Sequence, residues 1–301
     1  MRTIGPDDVE GRLEWPRVVE ALRAGHAGPM PRVGDQFLHA GDDTLLSRAA
    51  WIEGLGVGVK SVTVKPGNAR RGLPSVHGAM VVFDDADGTV RAVIDSAVVT
   101  RWKTAADSLL GATLLARPEP ERLLILGAGA VADSLVEGYR AVFPSIADVA
   151  IWNRTRERAA ALAHRHGARV CDDLPADAGR ADIVSTATMS SEPVLCGEWI
   201  GPGTHVDLIG AFTATMREAD DALISKARLF VDSRDTTLDH IGELLIPLSR
   251  GTISPEDVQG DLYDLVAGRT GREGSEITAF KNGGGAHLDL MTAAVIIHAA
   301  G

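Results

Sequence analysis

Gly127, Gly129 and Ala132 follow the apolar run Leu123-Leu-Ile-Leu126 with the spacing GxGxxA, and a helix-compatible segment follows them. That combination can hold the pyrophosphate of a dinucleotide. Gly127 permits a tight exit from a strand, Gly129 lets backbone approach the phosphates, and Ala132 lets helix and strand pack closely, while Ala128, Ala130 and Val131 belong to the turn whose N–H groups would meet the anion. The motif alone is weak, so the next strand carries weight. Val149-Ala-Ile-Trp152 ends in Asn153-Arg154-Thr155-Arg156, where a dinucleotide fold places the residue that meets the adenosine ribose. An acidic side chain there suits the 2′-hydroxyl of NAD, whereas arginines suit a 2′-phosphate through charge-assisted forks. NADP is therefore expected, with NAD possible; the competing reading makes Arg154, Arg156 and Arg158 the solvated start of a surface helix.

The elements that must position these groups are short apolar runs at Arg122–Leu126, Asp148–Trp152, Ala168–Cys171, Asp182–Thr186, His205–Ile209 and Arg228–Val231. Six such strands, separated mostly by helical or polar segments, predict an α/β, doubly wound parallel sheet whose ligands gather at the carboxyl ends. Past the fourth run, Ser185-Thr186-Ala187-Thr188 could admit a nicotinamide ribose or simply cap a helix. Past the fifth, Gly210-Ala-Phe212 could set an aromatic ring beside the nicotinamide, or Phe212 could be core. Past the sixth, Asp232 could bond cofactor or helix N–H groups, the structural role being the commoner one.

Before Arg117-Pro-Glu-Pro-Glu121, where two prolines break the chain, the pattern is α+β. A helix is expected to about Ala24, strands near Gly56–Val64 and Ala79–Phe83, a turn at Asp84–Gly88 into Val90–Ile94, and a helix from Thr100. The net charge of −11 argues against nucleic-acid or anionic-membrane partners. Two cysteines, Cys171 and Cys196, imply neither a metal cluster nor a disulfide framework, no metal site is expected, and a reducing cytoplasm is the default. No signal-peptide pattern and no membrane-length apolar run appear.

Several separated motifs together resemble the ornithine cyclodeaminase/mu-crystallin family over nearly the whole chain. They are Gly58-Val-Lys60-Ser-Val-Thr-Val-Lys-Pro-Gly-Asn68, Arg71-Gly-Leu-Pro-Ser-Val-His-Gly78, Thr100-Arg-Trp-Lys103-Thr-Ala-Ala106, Ile151-Trp-Asn-Arg154, Ser185–Thr188, Glu192-Pro-Val-Leu195, Gly203-Thr-His-Val206 and Ile277-Thr-Ala-Phe-Lys281 through Asp289. The resemblance implies a homodimer, a substrate-binding and dimerisation domain of residues 1–117 with 285–301, and a Rossmann domain of residues 118–284. It implies that Lys60 contacts substrate or donates a proton, and that Lys103 and Arg32 hold a substrate carboxylate. It leaves the reaction open among cyclodeaminases, cyclic-imine reductases, alanine dehydrogenases and ligand binders.

Two departures narrow that choice. Lys103 stands where the family usually has arginine, so a fork becomes a point charge. At the start of an apolar helix its charge would oppose the helix dipole unless an anion bound there. Phe212 stands where cyclodeaminases resemble one another in carrying a catalytic aspartate, and a phenyl ring cannot deprotonate ornithine. Reduction of a preformed cyclic imine, of the pyrroline-2-carboxylate or piperideine-2-carboxylate type, needs only hydride, a cation for the carboxylate and a proton for nitrogen. That reductase is the expected function, with ornithine cyclodeaminase and a non-catalytic mu-crystallin-like binder as alternatives.

Overall fold

The computed structural model describes residues 2–301, the side chain of Ala69 excepted. The chain as far as Lys103, together with Gly285–Gly301, packs as one compact unit, and Thr104–Gly284 packs as another. The first boundary was expected at residue 117 and falls earlier. The reason lies in the long helix Ser96–Leu115, whose later turns bury Leu109, Leu110 and Leu115 and rest Gly111 on the Phe280 ring. The Leu115 carbonyl also accepts from Arg272 Nε at 2.6 Å and Thr278 Oγ1 at 3.2 Å.

The first unit contains β1 (Arg2–Ile4), α1 (Trp15–His26), β2 (Arg32–Ala40), β3 (Asp43–Ile52), β4 (Gly56–Val64), β5 (Val76–Phe83), β6 (Val90–Asp95) and the opening turns of α2 (Ser96–Leu115). Its sheet has the order β1-β6-β5-β4-β3-β2, an antiparallel meander from β2 to β6 closed by β1 running parallel to β6. Pro16 sits in the first turn of α1, where a missing N–H costs nothing, and Trp15, Val18, Val19 and Leu22 make its buried stripe. The C-terminal helix, Ala286–Ala300, returns to this unit and packs on α1, β3 and β4. Two glycines allow that approach: a Cβ on Gly25 would lie 2.4 Å from the Met291 sulfur, and one on Gly58 would meet Leu290 at 3.0 Å and Met80 at 2.4 Å.

The second unit begins with β7 (Arg122–Leu126), α3 (Ala130–Val142), β8 (Asp148–Trp152), α4 (Arg156–His166) and β9 (Arg169–Val170). It continues through β10 (Ile183–Thr186), β11 (His205–Leu208), β12 (Arg228–Val231), β13 (Val258–Gly260) and β14 (Thr278–Lys281). All eight strands are parallel, in the order β13-β12-β14-β11-β10-β7-β8-β9. The order runs outward in both directions from the β7–β10 pair, which is the reversal of a doubly wound, Rossmann-like sheet. The six expected strands are present, the third reduced to Arg169–Val170. The expectation missed β13 and β14, the latter inserted between β11 and β12.

Burial in this sheet neutralises one histidine. His205 is fully enclosed on β11, Nδ1 lying 2.9 Å from Thr278 Oγ1, and burial, aided by the charge of Arg272, pushes its pKa down to about 3. An unfolded histidine titrates near 6.5. Between pH 7 and pH 5 the unfolded chain therefore gains a proton that the folded chain refuses, and this residue alone should remove about 2 kcal/mol of stability as the pH falls. Urea unfolding at the two pH values measures the loss; with His205→Asn the pH dependence should be shallower by that amount.

Candidate functional site

The turn after β7 has the backbone a phosphate cradle needs. Gly127 lies at φ 126°, its N–H donates to the Trp152 carbonyl at 2.8 Å, and a Cβ there would fall 2.5 Å from the Ala187 carbonyl oxygen. Any side chain would push the turn open. Gly129 is the extended residue ahead of α3, a Cβ on it would touch nothing within 4 Å, and no side chain caps the helix. The first-turn N–H groups, with Ala128, Ala130 and Val131 around them, are thus available to an anion, and buried Ala132 fits close helix–strand packing. These residues fit the pyrophosphate of a nicotinamide dinucleotide.

The tip of β8 divides the arginines. Asn153 Nδ2 donates to the Thr155 carbonyl at 2.9 Å and shapes the turn. Arg154 is exposed with no ion pair among the described residues, while Arg156 pairs with Asp172. Of the two expected 2′-phosphate ligands, only Arg154 is uncommitted.

The next strand ends are tied together by a residue the sequence reading missed. The buried Glu218 carboxylate accepts from Thr186 Oγ1 at 2.7 Å, Thr188 N and Oγ1 each at 2.6 Å, and Gly210 N at 2.7 Å. The Thr186 and Thr188 hydroxyl hydrogens are therefore committed to protein around Ala187. Glu243 in turn accepts the Glu218 and Ala219 N–H groups at 2.8 and 2.9 Å, and burial pushes its pKa up to about 7. Phe212, beyond Gly210, is 59% exposed and is not core. Asp232 requires a correction: one oxygen accepts Ser233 N at 2.7 Å, the other Gly283 N at 2.9 Å and Gly284 N at 2.5 Å. It anchors the glycine loop before the C-terminal helix, so its carboxylate is spent on backbone.

In the first unit a charge cluster forms on one sheet face. Register places Asp35, Arg48, Lys60, Met80 and Ile94 directly across from one another on β2 to β6. Lys60 Nζ lies 2.6 Å from Asp289 Oδ1 in the first turn of the C-terminal helix, the two side chains being 9% and 1% exposed. Arg48 pairs with Asp35 at 2.7 Å. Buried Lys103 acts on both members of the Lys60–Asp289 pair. Burial pushes Lys60 below the ordinary lysine range, opposed by Asp289. Burial would raise Asp289, but Lys60, Lys103 and Arg48 outweigh it and hold the carboxylate below its ordinary range.

Two expectations change here. Helix α2 begins at Ser96, so Lys103 lies well inside it and the dipole argument does not apply; its reason for being there is the cluster. Arg32 opens β2 opposite Trp51, which faces Val57, so alternation sets it on the other sheet face from Lys60. It is exposed there, and Arg48 is the arginine beside Lys60. Arg48 carries no local motif; Asp289 closed the last of the family motifs without a role being assigned to it.

The family model described as the ornithine cyclodeaminase/mu-crystallin family matches residues 18–300. The chain belongs to that family. A Delta(1)-pyrroline-2-carboxylate reductase of Paracoccus denitrificans is 57% identical over 296 residues, covering 96% of this chain and 94% of its own. A Thermococcus litoralis Delta(1)-pyrroline-2-carboxylate reductase, solved with NADH and L-proline, superposes with TM-score 0.92 at 26% identity, covering 100% of this chain and 97% of that one. An archaeal alanine dehydrogenase dimer with bound NAD gives TM-score 0.91 at 28% identity, covering 100% and 96%. Membership explains why two separate constellations, a dinucleotide turn and a cluster of buried cations, occur in one ornithine cyclodeaminase/mu-crystallin chain.

Proposed function

We propose that this protein is an NAD(P)H-dependent oxidoreductase that reduces the C=N bond of a small cyclic imino acid, pyrroline-2-carboxylate or piperideine-2-carboxylate. The observation that carries the reading is the cluster of Lys60, Lys103 and Arg48 around the single carboxylate of Asp289, with Asp35 already paired to Arg48. Its surplus of positive charge suits a substrate carboxylate, and Lys60 is a cation able to give a proton to a ring nitrogen. The nicotinamide cofactor, when bound, supplies the hydride. Lys103 and Arg48 hold the carboxylate, Lys60 protonates nitrogen, the Gly127–Val131 turn holds pyrophosphate, and Thr186–Thr188 with Gly210 and Phe212 line the strand ends where the nicotinamide would meet protein.

Cyclodeamination asks for a base that these residues lack. Phe212 has no proton-accepting group, and the strand-end carboxylates Glu218 and Asp232 accept hydrogen bonds from the protein itself. A purely binding role gives no reason to bury two lysines beside a third cation. The cofactor is NADP, because Arg154 is exposed and uncommitted at the ribose position and no carboxylate replaces it there. The free thiols Cys171 and Cys196 suit a reducing cytoplasm, and no helix among the described residues is long and apolar enough to cross a membrane. The protein is a homodimer: β2, paired on one side with β3, is the outer strand of its sheet and is exposed along its whole length, carrying Val33, Phe37 and Leu38 beside exposed Leu45 and Trp51.

With NADPH, the purified protein should oxidise cofactor in the presence of either cyclic imine and release no ammonia from L-ornithine. Lys103→Met should raise KM for the imine by about tenfold to a hundredfold, the loss of a charged hydrogen bond. Ammonia release from ornithine would overturn the reaction assigned. Arg154→Ser should weaken NADPH by a similar factor of about ten or more and leave NADH nearly unchanged; equal effects on both would remove the NADP assignment. Light scattering should give twice the chain mass, and Phe37→Asp should shift it to the mass of one chain; a parental monomer would refute the dimer.

A further inference from the structure

The Lys60–Asp289 pair joins residues 229 apart in sequence, yet nothing in a reductase mechanism requires a carboxylate behind the proton donor. Its geometry is informative. Asp289 Oδ1 takes the 2.6 Å bond from Lys60, while Oδ2 is buried without a hydrogen-bond partner among the described residues. A carboxylate enclosed to this degree and half unsatisfied is costly, and a helix position facing β4 could have held an apolar residue. The slight exposure of Lys60 against the near-complete enclosure of Asp289 sets the lysine in front and the carboxylate behind it.

We infer that Asp289 is a positioning residue that acts through Lys60, fixing its ammonium on the sheet face and keeping it charged among neighbouring cations. The inference rests on Lys60 being the proton donor of the reductase proposed above. Without Asp289, Lys60 would face Arg48 on β3 and Lys103 on α2, both of which oppose its charge. His287 on the C-terminal helix and His26 on α1 offer no compensation: their rings meet edge-on at 5.6 Å, and burial pushes His287 down to about 3 and His26 to about 4, so both are neutral. Asp35 is engaged with Arg48. Among the described residues, Asp289 is the one carboxylate paired with Lys60.

The reaction then balances as follows. Hydride forms the new C–H bond at the imine carbon, the C=N π pair moves to nitrogen, and nitrogen takes a proton from Lys60, which is restored from solvent. The step needs Lys60 protonated, so its alkaline limit is set by the pair. Asp289→Asn keeps size and one hydrogen-bond acceptor but removes the charge.

The test is kcat/KM for pyrroline-2-carboxylate with NADPH from pH 6 to pH 10, in the parental protein, Asp289→Asn and Asp289→Glu. Asp289→Asn should approach parental activity at the acid end and fall behind by about tenfold or more toward pH 9, its alkaline limb moved down by about one pH unit or more. Asp289→Glu, which keeps the charge, should keep the parental limb even if its kcat is lower. NADPH binding, followed by fluorescence, should not change. An Asn-to-parent ratio that stays constant with pH, or a Glu variant whose limb shifts like that of Asn, would overturn the inference and leave Asp289 as packing. If the Asn variant fails to fold, Asp289→Ser, which also removes the charge, takes its place with the same two outcomes. No imine turnover by the parental protein would instead overturn the functional reading, and this inference with it.

Discussion

A buried ion pair, Lys60 with Asp289, is the constraint around which the first unit is arranged. Removing two charges from water costs several kcal/mol per ion, and their attraction offsets this only at short range with correct geometry. The chain meets that condition by bringing its last helix back onto a sheet made at its beginning. Gly25 and Gly58 exist in their places because that helix must lie close enough for Asp289 to reach β4. The aliphatic contacts of Leu290 and Met291 then give the return its stability, and the ion pair gives it a register: sliding the helix one turn along the sheet would strand both charges.

A comparable constraint organises the second unit at the ends of its strands. Backbone N–H groups that emerge from β10 and β11 would lack partners if the loops parted, and Glu218 gathers them with two hydroxyls around one carboxylate. Glu243 stands behind it, and Lys281 on β14, donating to the Leu208 carbonyl at 2.8 Å, adds positive charge to the group. The positive charge makes the two buried acids tolerable together. These strand ends are therefore backbone held in place by buried charge, which is how a surface keeps its shape without relying on flexible side chains.

Legibility in the sequence followed the range of the interactions. The dinucleotide turn was readable because Gly127, Gly129 and Ala132 are close neighbours whose roles depend on local backbone geometry, and the parallel strands because burial on both faces makes them uniformly apolar. Strands β2 and β3 were not seen: β2 is exposed throughout, so no alternation marks it. Arg48 was invisible, and Asp289 closed a family motif with no role assigned, for another reason, since each acquires meaning only from a partner on a different element. Lys60 and Lys103 entered through family resemblance, and the structure supplied the physical reason that the helix-dipole argument had wrongly offered for Lys103. Arg32 entered in the same way, yet strand alternation places it on the other face of the sheet.

The same range argument bears on the choice of reaction. A base that abstracts a proton from an amine must keep a lone pair free and must not be satisfied by its own protein. At the strand ends of the second unit two carboxylates are turned inward: Glu218 to hold two loops, Asp232 to hold the glycines that lead into the last helix. Releasing either would unpair several buried N–H groups, at about 1–3 kcal/mol each. The loops and the missing base are thus linked. On the function proposed above, a chain with these acids turned to backbone and its buried lysines set to receive an anion accepts a substrate already at the imine level and adds a proton and a hydride, with no amine to activate.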